Sequence, residues 1–342
     1  MASRGAQLVR VTPGSELSLG GPGLGALNQR LASLPWIGPA LRLGVHVARE
    51  LPDGALLAIT SGTCWRGESA GITGARDHDV TSPATRSQRR WTATLPLPGF
   101  RRPARGGVLV DGAQVWLAQY DLNPARDRPI RLWRSDDAAR TFQETYRFEA
   151  GDVRHIHFIQ RDPFTADLWL GTGDTDQESR LHRSADGGDT WHEVAGGSQR
   201  YRATGLAFRE EAIIWGTDAG SDAGPYRNRV LRLDRTSGQI EEVCWLQGPV
   251  HGLCATASGD LLVVTGLEGG VNEIDRRVHV WRSRDSRRWQ EIASFAGGLQ
   301  PRRAQYGVGY FPVGQQLSDT IWLGLRGVLA GDVVTLEATL PT

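Results

Sequence analysis

The sequence predicts an all-β fold, a six-bladed β-propeller of four-stranded blades, and three observations predict it. The octapeptide Ser184-Ala-Asp-Gly-Gly-Asp-Thr-Trp191 has the form Ser-X-Asp-X-Gly-X-Thr-Trp, and weakened versions of it recur along the chain. The recurrences are evenly placed: Ser87, Ser135, Ser184, Asp234 and Ser283 are separated by 48, 49, 50 and 49 residues. Between them lie short, alternating apolar runs broken by Gly-rich turns, the pattern of several short strands per unit. A period of that size with strands inside it is that of a propeller blade, not of a helical solenoid.

Each unit can be justified in order. The first, residues 43–95, has Leu56-Leu-Ala-Ile-Thr60 as its second strand and Ser87-Gln-Arg-Arg-Trp91 in the slot of the repeated turn. The second, 106–148, has Val115-Trp-Leu-Ala-Gln119 and then Ser135-Asp-Asp-Ala-Ala-Arg-Thr-Phe142, which keeps Ser, Asp, Thr and the aromatic but not the Gly. The third, 153–195, shows all four strands: His155–Gln160, Asp167–Thr172, Arg180–Arg183 and Thr190–Val194. The fourth, 203–245, has Ile213-Ile-Trp-Gly-Thr217 and a plain turn at Asp234-Arg-Thr-Ser-Gly-Gln. The fifth, 250–293, has Leu261-Leu-Val-Val-Thr265 and the shortened copy Ser283-Arg-Asp-Ser-Arg-Arg-Trp289. The last, 304–342, runs out of chain after three strands, so the alternating segment Gln7–Val11 is expected to supply the fourth and close the ring without free sheet edges. The whole chain, 1–342, is then one propeller domain. Seven blades is the main alternative, because residues 14–42 are Gly/Pro-rich, with room for a short helix near Leu24–Leu34 or for degenerate strands.

Composition excludes several function classes. The formal net charge is +1, so no global field recruits nucleic acid or an anionic membrane. Every basic residue is Arg; without Lys there is no Schiff-base chemistry, no Lys general base and no Walker-type phosphate loop. Cys64, Cys244 and Cys254 are odd in number and lack metal-type spacing, so they read as core fillers. The 12 Trp fall largely at strand centres or after the repeated turn, where they would pack between sheets. No apolar run of signal-peptide or membrane-span type occurs, and the expected location is the cytoplasm.

The repeated octapeptide is the Asp-box turn, and on it the chain resembles the Asp-box, or bacterial-neuraminidase-repeat, propellers. These include sialidases and related glycosidases, propeller polysaccharide lyases and non-enzymatic relatives. The resemblance implies that the turn joins the third and fourth strands, on the face opposite the usual active site. Asp137 and Asp186 are therefore read as structural, their carboxylates satisfying turn amides.

Chemistry is expected where the first strands begin and the second strands end, because alternating strand direction brings those loops to one face. His46, Arg105, Arg154, His155, Arg202, His251, Arg303 and Tyr306 stand before or at first strands. Loops after second strands carry Trp65, Arg66 and Glu68; Tyr120, Asp121 and Asn123; Asp174, Asp176 and Glu178; Asp218, Asp222, Tyr226 and Arg227; Glu268 and Glu273. The catalytic candidates are His155, His251, Tyr226 and Arg227. The candidates for substrate contact are Arg154, Asp174, Asp176, Asp218, Glu268, Arg303 and Tyr306. His155 and His157 share a strand face by the period of two and could bind a metal, but spacing fixes no third ligand. The acidic loop Asp174-Thr-Asp-Gln-Glu178 could hold a hard cation or sugar hydroxyls, although it lacks a calcium-loop pattern.

The functional expectation is a carbohydrate-active enzyme acting on an anionic, uronate- or sialate-type glycan bound in the central funnel. Arg suits a substrate carboxylate, and His or Tyr could remove the adjacent proton. Lyase-like elimination is preferred to hydrolysis because the Phe/Tyr-Arg-Ile-Pro tetrapeptide of sialidases is absent; Arg128-Pro-Ile130 is only a reordered echo. No cofactor is required, and a divalent metal is compatible. Two other readings stay open: a cytoplasmic enzyme rearranging a small molecule in the funnel, and a non-catalytic propeller that binds glycan or protein.

Overall fold

The computed structural model describes residues 2–4, 7–12, 15–22, 44–69, 89–97, 106–298, 307–312, 316, 320–329 and 331–340. The fold is a six-bladed β-propeller, nearly all β, whose only helical pieces among the described residues are the 3₁₀ turns Gln199–Tyr201 and Ser221–Ala223. No helix among them is long and apolar enough to cross a membrane. The chain falls into two compact units, one of Met1–Pro124 with Ile130–Arg147 and one of Ala125–Pro129 with Phe148–Thr342.

The first unit begins with a three-stranded sheet of β1 (Ala2–Arg4), β2 (Gln7–Thr12) and β3 (Ser15–Gly20). Blade 1 follows with β4 (Val47–Glu50), β5 (Leu56–Thr60), β6 (Thr63–Ser69) and β7 (Arg89–Pro96). Blade 2 is β8 (Val108–Asp111), β9 (Gln114–Ala118), β10 (Ile130–Ser135) and β11 (Gln143–Phe148). Leu57 and Ile59 of blade 1 and Val115 and Leu117 of blade 2 share one buried cluster.

The second unit holds the remaining blades. Blade 3 is β12 (His155–Arg161), β13 (Leu168–Gly173), β14 (Arg180–Ser184) and β15 (His192–Gly196). Blade 4 is β16 (Ala207–Phe208), β17 (Ala212–Gly216), β18 (Arg229–Asp234) and β19 (Ile240–Trp245). Blade 5 is β20 (Val250–Ala255), β21 (Leu261–Thr265), β22 (Arg277–Ser283) and β23 (Gln290–Ala296). Blade 6 has three strands, β24 (Val308–Tyr310), β25 (Thr320–Val328) and β26 (Gly331–Thr339). Strands are antiparallel and sequential within each blade. The second strands of blades 1, 3, 4 and 5 are mainly apolar and buried along their whole length, as expected for strands covered on both faces. Side chains of these and neighbouring strands fill the gaps between blades: Phe158, Trp169, Ile213 and Trp215 between blades 3 and 4, and Val264, Val278, Leu323 and Leu325 between blades 5 and 6.

One expectation is corrected. Gln7–Thr12 does form a strand, but it is the centre of the N-terminal sheet and does not supply the fourth strand of blade 6. Thr12 pairs with Ser15 across a two-residue connection, and Ala2 pairs with Val9, so local partners occupy both edges of β2. Closing those short loops costs far less entropy than recruiting a strand from the far end of the chain. The helix considered near 24–34 lies outside the described residues.

The repeated turn has the same hydrogen bonding wherever its residues survive. Asp186 Oδ1 accepts from the amides of Asp189 (3.1 Å) and Thr190 (2.9 Å), Oδ2 from the Thr190 hydroxyl (2.5 Å), and Ser184 Oγ from the Gly188 amide (2.8 Å). Asp137 repeats this with the amides of Arg140 and Thr141 and the Thr141 hydroxyl, while Ser135 Oγ accepts from Ala139. Where blade 3 has Gly187 and Gly188 at positive φ, blade 2 has Ala138 (φ 55°) and Ala139 (φ 62°). The blade 2 copy thus holds two L-residues in the left-handed region, a conformation the side-chain bonds of Ser135 and Asp137 impose.

Candidate functional site

The decisive local feature is a β-bulge repeated in two blades. In blade 3, Ile156 pairs with Thr172 and Phe158 with Gly171, which leaves His157 as the extra residue on β12. In blade 5, Val250 pairs with Thr265 and Gly252 with Val264, which leaves His251 as the extra residue on β20. A bulge breaks the two-residue alternation and re-aims the side chain at that point. Each bulged imidazole lies against a glycine near the end of the neighbouring second strand. A Cβ on Gly173 would stand 2.6 Å from His157 Cε1 and 3.0 Å from Arg202 Cγ, and one on Gly266 would overlap the His251 ring.

The loops leaving the second strands place a carboxylate beside these rings in three successive blades: Asp174 after β13, Asp218 after β17 and Glu268 after β21. They form two groups. In the first, His155 Nε2 and His157 Nε2 are 3.0 Å apart, and Asp174 Oδ1 is 3.4 Å from the one and 3.6 Å from the other. All three residues are buried. The other nitrogen of His157, Nδ1, is 3.0 Å from the Ala203 carbonyl, which fixes the ring and sets its Nδ1–H tautomer. Arg154 donates to Asp174 Oδ2 at 2.7 Å. In the second group, His251 Nε2 is 3.1 Å from Glu268 Oε1 and 3.9 Å from Asp218 Oδ1. This group is more open, the His251 side chain being 24% exposed.

Arg202 joins the two. Its guanidinium lies 3.3 Å from Asp174 Oδ1, 3.9 Å from Asp218 Oδ2 and 3.0 Å from Asp222 Oδ1, and it also donates to the Asp174 carbonyl. Burial opposes its charge, but Asp218 and Asp174 together hold its proton more firmly than usual. The acids respond differently. Burial opposes ionisation of Asp174, yet the adjacent imidazoles of His155 and His157 outweigh it and keep the carboxyl far below the usual range. Burial pushes Asp218 up to about 6, against the pull of His251 and with the help of Glu268. Glu268 is also buried, but its bond to His251 holds it below its ordinary value. Two neighbouring carboxylates displaced in opposite directions are the arrangement in which one donates a proton and the other stays ionised.

The structure brings together His155, His157, Asp174, Arg154, Asp218, His251 and Glu268 from the sequence candidates. The rest of the acidic loop disperses: Asp176 accepts from the Gln199 amide (3.0 Å), and Glu178 accepts from Arg126 Nε (2.7 Å) and the Arg154 amide (3.2 Å). Its three carboxylates therefore do not converge on one cation. Tyr226 and Arg227 lie by β18 and β19, where the Arg229 guanidinium sits 4.8 Å from the Tyr226 ring centre and 4.3 Å from that of Trp245. Burial pushes the Tyr226 hydroxyl up to about 12. Arg303 and Tyr306 lie outside the described residues. In the first unit, Arg66 is buried and bonded to the Ala138 carbonyl, Asp53 and Glu68. The central place of Arg202 went unassigned from sequence. Its signal was periodic, since 155, 202 and 251 follow the blade repeat.

No protein-family model matches the chain, and no characterised protein matches it by sequence. Solved structures do. The chain is similar to β-propellers. The GH74 xyloglucanase of Xanthomonas campestris aligns with TM-score 0.53 at 14% identity over 86% of this chain and 55% of that one. YCF48 bound to a D1 peptide aligns at 0.48 and 13% identity, covering 86% and 82%. Virginiamycin B lyase of Staphylococcus aureus aligns at 0.46 and 14%, covering 87% and 85%. At 14% identity the likeness to the xyloglucanase carries the fold alone and leaves the chemistry to the residues.

Proposed function

We propose that this propeller is an enzyme that cleaves an anionic glycan by general acid–base catalysis, and that it works by elimination at a uronate-type unit. The observation that supports this reading is the Asp218–His251–Glu268 group, in which a carboxylate pushed toward neutrality and one held ionised both face His251 Nε2. Glu268 Oε1, 3.1 Å from His251 Nε2, positions the imidazole and favours its protonation as it acts as the general base. His251 removes the proton that a uronate carries on the carbon next to its carboxylate. The electron pair becomes a carbon–carbon double bond as the β carbon–oxygen bond breaks, and Asp218 delivers a proton to the departing oxygen. No water is consumed. Arg154, whose side chain is 26% exposed, is the cation placed to receive the substrate carboxylate.

Hydrolysis through a tyrosine nucleophile is less well supported, because Tyr226 is stacked on Arg229 and burial pushes its hydroxyl up to about 12. Descent from the Asp-box propellers is supported by the turn geometry at Ser135 and Ser184.

The test is mass spectrometry of products after incubating purified protein with a panel of uronate-containing and sialylated glycans. Fragments with one unsaturated end and no added water are expected. Fragments carrying added water would replace elimination by hydrolysis, and intact glycans throughout would overturn the glycan-cleaving reading.

A further inference from the structure

The two histidines of β12 and the loop after β13 have a geometry that acid–base chemistry at His251 does not use. His155 Nε2, His157 Nε2 and Asp174 Oδ1 form a triangle with sides of 3.0, 3.4 and 3.6 Å. A divalent metal bound to nitrogen at about 2.1 Å, with ligand angles between about 90° and 110°, separates neighbouring ligand atoms by about 3.0–3.4 Å. The triangle is thus close to one face of such a coordination sphere before any ion enters.

The surroundings fit the same reading. The bond from His157 Nδ1 to the Ala203 carbonyl directs the Nε2 lone pair into the triangle, as a backbone carbonyl does behind metal-bound histidines. Arg154 takes Asp174 Oδ2 and so turns Oδ1 inward. His157 is the residue that the bulge leaves out of the pairing, and Gly173 leaves the space for its ring. Two cations stand close by, Arg154 and Arg202, and both oppose an ion; Asp218 and Asp222 beside Arg202 offset its charge. Two imidazoles and one carboxylate select a first-row divalent transition metal and disfavour calcium or magnesium, which take oxygen ligands.

We propose that His155, His157 and Asp174 form a binding site for one divalent transition metal of the zinc or cobalt type, with its remaining coordination positions open to water or a ligand atom. The site is separate from the Asp218–His251–Glu268 group, and its test reads binding, whatever the substrate is.

The experiment is a cobalt titration of tag-free, chelator-stripped full-length protein, followed by visible absorption, with zinc then added. Saturation at one equivalent, ligand-field bands that zinc abolishes, and a rise in Tm with zinc are expected. His155→Gln and Asp174→Asn should each weaken cobalt binding roughly 100-fold or more, since even the loss of a supporting partner costs about 10–100-fold. His251→Gln and Asp218→Asn should leave it intact. The proposal is overturned if wild-type protein binds no cobalt at sub-millimolar concentration, or if binding survives His155→Gln and Asp174→Asn but is lost in His251→Gln. Should either triangle variant fail to fold by circular dichroism, the wild-type titration and the His251→Gln arm still decide.

Discussion

His251 Nε2 lies 3.1 Å from Glu268 Oε1, and this contact ties the bulge of β20 to the loop that follows β21. A residue the strand pairing skips is thereby paired to an acid the strand cannot hold. Were the ladder regular, the ring would not be left over from the pairing.

The first prediction concerns that pair. His251→Gln should lower kcat/KM on a susceptible glycan by about 10²–10⁴-fold, the usual worth of a general base. Glu268→Gln should lower kcat less, since it acts through the imidazole, and leave KM nearly unchanged. Melting curves of both should stay near wild type, because the group is partly open to solvent. Full activity in His251→Gln would remove His251 from the chemistry.

A second prediction is a pH dependence. With Asp218 pushed up to about 6 and required as the proton donor, kcat/KM should fall as pH rises through about 6. Asp218→Asn should abolish that limb. The stability sign follows from the same shift: the folded state binds this proton more tightly than the unfolded chain, whose carboxyl titrates near 4. Wild-type Tm should therefore lose ground between about pH 4 and pH 6, and Asp218→Asn should lose less. Equal pH slopes in the two proteins would contradict the assignment.

A third prediction isolates geometry from chemistry. Gly266→Ala keeps every functional side chain but puts a methyl into the His251 ring. Overpacking of this kind costs about 1–3 kcal/mol and displaces the ring. Activity should drop toward that of His251→Gln, and denaturant titration should show the stability loss.

The repeated turns carry a fourth. Asp137 and Asp234 are held down to about 2, Asp137 against burial by the Thr141 amide and hydroxyl, and Asp234 chiefly by the Ser237 amide. Thr190 holds Asp186 lower still. Depressed carboxyls contribute stability that is complete above about pH 4 and disappears as pH falls toward 2. Asp186→Asn should flatten the acid side of a plot of Tm against pH while leaving activity at neutral pH unaltered, a comparison that differential scanning fluorimetry can make.

Much of the fold was legible from local rules. The repeated turn needs Ser, Asp and Thr at fixed offsets, because each closes a hydrogen bond within the same few residues, and its spacing therefore reports the length of one blade. Buried second strands were legible for a similar reason: a strand covered on both faces is apolar at every position. The N-terminal strand was visible as a strand, but its partner was not, since alternation specifies a face and says nothing about which edge is nearest.

By itself, the sequence determined the six-bladed, four-stranded architecture, because it follows from short-range turn chemistry and hydrophobic period. Only the tertiary structure decided the groupings. Asp174 met His155 and His157, and Glu268 met His251, through two bulges and two glycines that the alternating pattern does not encode. Asp176, Glu178 and Tyr226 were taken by neighbouring backbone and stacked cations instead. Which atoms come within 3 or 4 Å depends on how separate blades pack, and that packing is a property of the assembled sheets rather than of any single stretch of chain.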